Sequence, residues 1–328
     1  MFTRKLGRNG PTVGALGLGC MGMSDFYGPA DEAESVRTVH AALDAGMNLL
    51  DTGDFYGMGH NEMLLRAALK DRRRDSYVLS VKYGAQRTPT GEFIGFATDP
   101  RATKTAIAYS LKRLGVECID IYRPARVAPG VPIEESIGAI ADLVTAGYVR
   151  FIGLSEAGAD TIRRACAVHD IVDLQIEYGL AARMPEAAIL PTLRDLGVGL
   201  TAYGVLSRGL VSNGALTGES LKSRSHFPRF HGENLARNLP LVERLAALAS
   251  ARGATVAQLA IAWALSRGED IVPLVGARRL DRLTEALGAL SLSLSAEDLA
   301  DIEAAMPAGA LAGERYAPEQ MRMLDSER

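Results

Sequence analysis

The sequence has few of the residues on which covalent cross-links and metal cages depend. It contains three cysteines in 328 residues, Cys20, Cys118 and Cys166. Thiols so few and so scattered exclude a disulfide framework and match no zinc-knuckle spacing, and they are typical of a reducing compartment. We therefore expect three core thiols, no metal site and a cytoplasmic protein.

An excess of charge of one sign and long apolar runs are also missing. The 36 basic and 39 acidic side chains leave a net charge of -3, which favours neither nucleic acid nor an anionic membrane surface as a partner. No segment approaches the roughly 18 apolar residues of a membrane helix. The charged N-terminal stretch is not followed by the apolar core of a signal peptide. Small molecules held at a local site remain the expected partners.

The sequence does contain a regular alternation of short apolar runs and longer amphipathic segments. With 48% hydrophobic residues, the chain can bury a sizeable core. The apolar runs predict strands at 13–18, 47–51, 77–82, 119–123, 149–155, 173–177, 199–203 and 271–275. The amphipathic segments predict helices at 32–45, 61–68, 100–114, 133–146, 159–169, 187–196, 239–266 in two pieces, and 279–287.

Strands that alternate with helices predict parallel βα units. Eight units without a Pro-, Gly- or Ser-rich linker predict an α/β fold, a (β/α)8 TIM barrel with residues 1–328 as a single domain. A long loop at 207–238 has the length of a functional lid, and we place the tail at 307–328 over the barrel mouth. In such a barrel the site forms at the carboxyl ends of the strands.

A glycine motif in the first strand offers a competing interpretation. Gly17, Gly19 and Gly22 have the G-x-G-x-x-G spacing of a dinucleotide-binding fingerprint. That fingerprint needs a helix to open at the third glycine and meet the pyrophosphate, whereas the first predicted helix cap is Asp31. We expect the glycines to let the end of the strand approach a ligand closely instead.

Charged residues end the second and third predicted strands. Asp51 and Lys82 each terminate an apolar run, and Tyr56 lies on the loop after Asp51. Because adjacent strand ends lie side by side, the two charges can pair beneath the phenol, and an ammonium group there lowers the proton affinity of a tyrosine. Such a tyrosine can serve as a general acid. On spacing alone, a structural ion pair under an aromatic loop is the alternative.

Five segments resemble the aldo-keto reductases, in the family's order and over nearly the whole chain. They are LGLGCMGMS from Leu16, NLLDTGDFYGMGHNE from Asn48, the strand end at Lys82, GLSEA from Gly153 and VPLVGARR from Val272. The first is most similar to the branch that contains plant perakine reductase and related microbial enzymes. The resemblance implies an NADPH-dependent carbonyl reductase with an Asp, Tyr, Lys and His tetrad, of which Asp51, Tyr56 and Lys82 match three.

The tetrad histidine has no counterpart. The resemblance places it at Ala125, in the run IDIYRPARVAP, and none of the five histidines replaces it by position. Loss of one polar donor from a carbonyl-polarising site lowers the rate roughly a hundredfold or more. Arg123 and Arg126 flank the gap. Either can bring a cation or a water to the substrate oxygen, or be a structural arginine of the barrel rim.

The resemblance also implies how NADPH binds. Tyr203 supplies an aromatic face for the nicotinamide, and Ser155 and Gln175 supply hydrogen bonds. Arg278 and Arg282, at a helix N-terminus, are assigned to the 2′-phosphate, which favours NADP over NAD. The further predicted cofactor residues are Met21, Gly22, Gly204, Leu206, Ser207, Arg208, Gly276, Ala277 and, at the adenine, Glu285.

The expected partner is a small-molecule aldehyde or ketone, which enters past aromatic residues including Tyr27. Tyr56 is its general acid, tuned by Lys82 and Asp51. Two other functions stay open. One is a non-catalytic NADP(H)-binding sensor or regulatory subunit, which the alanine at position 125 favours. The other is a Schiff-base aldolase that uses Lys82, which pairing with Asp51 disfavours because the amine would be ionised.

Overall fold

A computed structural model describes residues 1–212 and 218–328. Within this part of the chain, parallel strands close into a barrel, and each strand pairs with the next along the chain. The barrel strands are β1 (Gly17–Gly19), β2 (Leu49–Gly53), β3 (Val78–Tyr83), β4 (Ile119–Pro124), β5 (Val149–Ser155), β6 (Ile171–Glu177), β7 (Gly199–Tyr203) and β8 (Ile271–Gly276). The prediction of a single-domain (β/α)8 barrel is confirmed.

Helices surround the barrel. In chain order they are α1 (Glu32–Asp44), α2 (His60–Leu69), α3 (Pro100–Leu114), α4 (Ile133–Thr145), α5 (Ala159–Val168), α6 (Ile189–Leu196), α7 (Gly218–Lys222), α8 (Gly232–Ala251), α9 (Val256–Ser266), α10 (Leu280–Gly288), α11 (Ala296–Ala305) and α12 (Pro318–Met321). Among the described residues no single helix is long and apolar enough to cross a membrane, although α8 and α9 together, at an angle of 87°, have the length and composition.

Local signals explain where these helices begin and end. The Asp31 side chain accepts a hydrogen bond of 2.6 Å from the Glu34 amide and caps α1. Asp99 caps α3 in the same way, with Pro100 in the first turn. Gly115 ends α3 with a φ of 70°, a left-handed conformation that glycine adopts without strain. Where each helix ends, the chain continues into the next barrel strand, and the carboxyl end of that strand lies at the barrel mouth.

The first predicted strand, 13–18, is wrong in its bounds. Thr12–Gly14 pairs antiparallel with Thr3–Lys5 in an N-terminal hairpin, and only Gly17–Gly19 enters the barrel. The hairpin residues Leu6 and Val13 are fully buried against the inward side chains at the starts of barrel strands. The hairpin therefore covers the amino-terminal end of the barrel. The sequence does not reveal the break between the hairpin strand and the barrel strand, because both strands are apolar and follow one another in a single run.

The segment 207–238 contains more secondary structure than the loop predicted there. It holds α7, a short turn at Pro228–Phe230 and the start of α8 at Gly232, seven residues before the helix start expected at position 239. Residues 213–217 of the predicted loop lie outside the described residues. The sequence analysis also missed α11, although Ser295 and Asp298 form a capping box at its start.

Candidate active site

A cavity of about 1220 Å³ opens at the carboxyl ends of the barrel strands. Its inner end, at the strand ends, is lined by the three predicted catalytic residues, Asp51, Tyr56 and Lys82, and by Ala125 and Arg126. The rest of its wall includes Tyr27 and the predicted cofactor residues Met21, Gly22, Ser155, Gln175, Tyr203, Gly204, Leu206, Arg208, Gly276, Ala277, Arg278, Arg282 and Glu285. Of the predicted site residues, Ser207 and Arg123 do not line it.

The two strand-end charges form an ion pair beneath the tyrosine. Lys82 Nζ bonds Asp51 Oδ1, and both side chains are at most 6% exposed. The same nitrogen lies 5.1 Å from the centre of the Tyr56 ring. The ring of Phe55 packs edge-on against Tyr56 at 4.8 Å between centroids. The strand ends and the loop above β2 thus bring the predicted catalytic residues together.

The second oxygen of Asp51 has two donors. Ser80 Oγ lies 2.9 Å and Gln175 Nε2 2.7 Å from Asp51 Oδ2. The carboxylate is therefore held on both oxygens, which fixes the position of Lys82. Gln175 was predicted to bind the nicotinamide amide. It donates one N–H group to Asp51, and its side-chain carbonyl oxygen can still accept a hydrogen bond from another partner.

The pKa of Tyr56 differs in direction from the sequence-based expectation. Burial and the charge of Asp51 raise the pKa of Tyr56 well above its ordinary value. The desolvated phenolate is costly, and Lys82 shares its charge with Asp51, which offsets its effect on the ring. Burial also lowers the pKa of Lys82, while Asp51 opposes that change. Tyr56 is accordingly protonated and can donate a proton.

Arg123 is a core residue and makes no contact with the cavity. It is fully buried in β4, where Nη1 bonds Asp173 Oδ2 at 2.9 Å and Nη2 donates to Ser80 Oγ at 3.0 Å. The prediction that Arg123 approaches the substrate is therefore wrong. Through Ser80, Arg123 supports the hydroxyl that donates to Asp51.

Arg126 follows β4 and does line the cavity. Its Nη1 donates to the Ala125 carbonyl at 2.7 Å and lies 3.5 Å from Ser155 Oγ. It forms no ion pair with the described residues, in contrast to Arg123. Ala125, at the tetrad histidine's place, also lines the cavity, and none of the five histidines, all of which are described, does so.

The aromatic face predicted for the nicotinamide belongs to a buried hydrogen-bond network. Tyr203 Oη donates to Glu156 Oε1 at 2.6 Å and lies 2.9 Å from Tyr316 Oη. Glu156 in turn pairs with Arg315 at 2.6 Å. Although burial raises the pKa of Glu156, the charge of Arg315 prevails and lowers it to about 2. The tail residues Arg315 and Tyr316 thus fix the end of β7.

Ser207 and Arg208, both predicted to bind the pyrophosphate, have different surroundings. Ser207 is fully buried and accepts from Arg229 at 3.4 Å. Arg208 pairs with Glu177 at 2.9 Å, and its guanidinium stacks on the rings of Phe227 and Tyr316. The phosphate role predicted for the Ser207 side chain is therefore wrong, because that side chain faces the interior.

Arginines gather at the end of the cavity where α10 begins. Arg278 Nη1 donates to the Gly28 carbonyl at 3.0 Å, and Arg282 pairs with Glu285 at 2.9 Å. Lys222 and Arg224, which the sequence analysis did not identify, line the same end. Arg282 is exposed and Arg278 is partly exposed at the cavity rim.

A second hairpin at the mouth was also missed. Its strands, Ala85–Arg87 and Phe93–Phe96, pair antiparallel and bring Arg87, Phe93 and Phe96 to the cavity. The Pro-Thr-Gly sequence between two short runs is a turn signal that could have revealed it. The tail adds Tyr316, Gln320, Met323 and Leu324 to the wall.

A closed parallel barrel with a lysine–aspartate pair under a tyrosine defines the class of site, and comparison with known proteins gives the family. The pattern of the Aldo/keto reductase family matches residues 15–307. Probable aldo-keto reductase 1 of Glycine max is 41% identical over 320 residues, 95% of this chain and 91% of that protein.

Solved structures agree with this match. The glycerol dehydrogenase AKR11B4 of Gluconobacter oxydans is 28% identical, with a TM-score of 0.83 over 93% of this chain and 96% of that one. The holo form of the aldo-keto reductase AKR11C1 of Bacillus halodurans is 27% identical, with a TM-score of 0.78 over 98% of this chain and 99% of that one.

The chain belongs to the aldo-keto reductase family, and the resemblance read from its five sequence segments is confirmed. Membership makes the protein an oxidoreductase of a family whose general reaction is carbonyl reduction with NAD(P)H.

Proposed function

We propose that the protein reduces an aldehyde or ketone to the alcohol with NADPH. The observation that carries this function is the position of Tyr56, buried at the inner end of the cavity with Lys82 Nζ 5.1 Å from its ring and Asp51 paired to that lysine. A protonated phenol beside a fixed ammonium is suited to protonate a carbonyl oxygen and to stabilise the resulting phenolate.

The size and lining of the cavity support an extended dinucleotide as the cofactor. Its volume, about 1220 Å³, exceeds the ~300–1,000 Å³ of ordinary ligand pockets, so that cofactor and substrate can be held together. Gly19, Gly22 and Gly276 line it with bare backbone, and a Cβ at Gly276 would meet nothing closer than 4.0 Å. Backbone without side chains permits close approach of a flat or phosphate group.

The residues that hold NADPH divide between the two ends of the cavity. Tyr203 and Ser155 hold the nicotinamide, while Arg278 and Arg282 hold the 2′-phosphate and favour NADP over NAD. When bound, NADPH supplies the hydride for the carbonyl carbon.

Tyr56 donates its proton to the carbonyl oxygen as the carbon is reduced. The raised pKa of Tyr56 keeps that proton on the phenol until it is needed. Lys82 then stabilises the phenolate, and Asp51 keeps Lys82 in position through Ser80 and Gln175.

The test is NADPH oxidation over a panel of aldehydes and ketones. We expect Tyr56→Phe to lower kcat by a factor of about 10² or more, because it removes the general acid, with little change in NADPH affinity. Tyr109→Phe is the matched control, since Tyr109 lies on α3 and is 60% exposed. Equal activity of Tyr56→Phe and Tyr109→Phe would exclude Tyr56 as the acid.

The two alternatives give other outcomes in the same assay. Ala125 favours a non-catalytic NADP(H)-binding sensor, which would bind NADPH tightly and turn over nothing. A Schiff-base aldolase would leave Lys82 covalently labelled after borohydride treatment with substrate. The ion pair of Lys82 with Asp51 opposes that chemistry, since the amine nucleophile must be unprotonated.

We further propose a small-molecule carbonyl compound as the partner and the cytoplasm as the location. Independence from nucleic acid, membrane and metal stays a prediction from composition.

A further inference from the structure

We propose that Arg126 binds a carboxylate of the substrate and that the protein reduces 2-oxo acids, in which a carboxylate is attached to the carbonyl carbon. The inference rests on the proposed carbonyl reductase function. It begins from the guanidinium of Arg126, which lines the same inner end of the cavity as Tyr56 and Lys82.

Arg126 differs from its charged neighbours in having no bonded anion: the charge of Glu156 acts on Arg126, but Glu156 is itself bonded to Arg315. The neighbouring charges are paired within the protein: Lys82 pairs with Asp51 in the cavity wall, and the buried pairs Arg123–Asp173 and Arg315–Glu156 lie behind that wall. In the described part of the chain, no carboxylate forms an ion pair with Arg126. Because each of those pairs cancels its own charge, the inner end retains the positive charge of Arg126. A half-buried cation that no carboxylate contacts directly is costly, and an anionic ligand bonded to it lowers that cost.

The hydrogen bonds of Arg126 leave the binding edge of its guanidinium open. Nη1 donates to the Ala125 carbonyl at 2.7 Å and lies 3.5 Å from Ser155 Oγ. No described residue bonds to Nε or Nη2. These two nitrogens form the planar fork that matches the two oxygens of a carboxylate. The bond to the Ala125 carbonyl meanwhile fixes the rotation of the group.

The position of Arg126 relative to Tyr56 sets the spacing of the substrate groups. Arg126 directly follows Ala125, whose amide donates to the Tyr83 carbonyl at 2.8 Å, one residue beyond Lys82. Lys82 lies 5.1 Å from the Tyr56 ring, so the guanidinium and the phenol lie at adjacent strand ends of one cavity. Ala125 carries only a methyl group and also lines the cavity, which leaves Arg126 accessible. A substrate that offers its carbonyl oxygen to Tyr56 and its carboxylate to Arg126 needs the two groups close together. They are directly bonded in a 2-oxo acid.

The test compares phenylglyoxylate with its methyl ester, which has the same skeleton without the charge. We expect Arg126→Met to lower kcat/KM for phenylglyoxylate about a hundredfold or more, as loss of one partner of a desolvated charge pair does, and to change the value for the ester far less. Arg126→Lys keeps the charge without the fork and should give an intermediate loss. Arg87→Gln is the control, because Arg87 also lines the cavity but pairs with Asp25 at 2.7 Å; it should affect acid and ester equally.

A binding measurement separates failure of this inference from failure of the reductase function. Oxalate, a non-reducible analogue of a 2-oxo acid, is titrated calorimetrically into the protein loaded with NADP⁺. We expect binding to the unmodified protein and to Arg87→Gln, and its loss in Arg126→Met. No oxalate binding, or equal effects of Arg126→Met on acid and ester, would overturn the role of Arg126 even if Tyr56-dependent reduction of neutral carbonyls is observed. Oxalate binding through Arg126 without any carbonyl turnover would instead overturn the reductase function.

Discussion

Arg123 and Arg126 are three positions apart and have opposite surroundings. Arg123 lies within β4, where its side chain enters the barrel interior and meets Asp173. Arg126 lies past the end of the strand and faces the cavity. From the sequence both arginines are candidates for the substrate site, since the difference between them depends on where β4 ends and on an aspartate 50 residues away.

The alanine at position 125 leads to a prediction about the rate of carbonyl reduction. If the missing histidine limits the rate, Ala125→His should raise kcat for neutral aldehydes by a factor of roughly 10² or more, because it restores a donor to the carbonyl oxygen. Steady-state NADPH oxidation measures the change.

The control for added volume is Ala125→Leu, which fills the same space without a donor and should not raise kcat. Should Ala125→His leave kcat unchanged while the variant stays folded, another group already polarises the carbonyl, and position 125 is not a catalytic deficit.

Among the secondary-structure elements, the C-terminal tail is held in place by an ion pair. Arg315 joins the tail to Glu156, at the end of β5, and Ser326 Oγ also donates to Glu156 at 2.7 Å. Since Tyr203 donates to the same carboxylate, the tail and the end of β7 share one anchor. The barrel pattern in the sequence predicted that the tail lies over the mouth. It could not predict the ion pair, because the two residues that form it are 159 positions apart.

The anchor predicts a dependence on pH. The pKa of Glu156 is lowered from 4.5 to about 2, so its stabilising contribution is complete above pH 4.5 and lost as pH falls towards 2. We expect hydrogen exchange in residues 314–328 to accelerate over this acidic window. Glu156→Gln should accelerate it already at neutral pH.

The matched control is Glu319→Gln, since Glu319 lies on the same tail with a side chain 73% exposed, and an exposed ion pair contributes little. Equal protection of the tail in Glu156→Gln and the unmodified protein at neutral pH would contradict the anchor.

At the element scale, strand and helix periodicity predicted the barrel units well because each unit buries one face. The two hairpins and α11 were missed. Short strands of three or four residues give too few positions for an alternation to stand out. Turn and cap signals, such as the capping box at Ser295, predict the positions of these short elements better than periodicity does.

The charge distribution is a property of the whole molecule. Although the net charge is only -3, four cations from two distant segments line one cavity: Lys222, Arg224, Arg278 and Arg282. Such a cluster favours a cofactor with an additional phosphate.

We therefore expect NADP⁺ to raise Tm more than NAD⁺ at equal concentration, since a ligand at 100 times its Kd stabilises the fold by about 2.7 kcal/mol. The double variant Arg278→Ala and Arg282→Ala should abolish the difference while keeping the Tm of the free protein. Thermal unfolding with each nucleotide measures it.

Arg164→Ala serves as the control because Arg164 forms a surface pair with Glu134 away from the cavity. A preference for NADP⁺ that survives in the double variant would assign the 2′-phosphate to other residues.

The sequence by itself determined the order of strands and helices, the closure into one barrel, and the placing of Asp51, Tyr56 and Lys82 at the mouth, because periodicity and strand ends are local properties. Tertiary structure alone decided which charges are paired. Arg123, Glu156 and Arg208 form ion pairs with residues distant in sequence, whereas Arg126 forms no ion pair with the described residues. Pairing depends on which side chains packing brings within a few ångströms, and no local pattern encodes that distance.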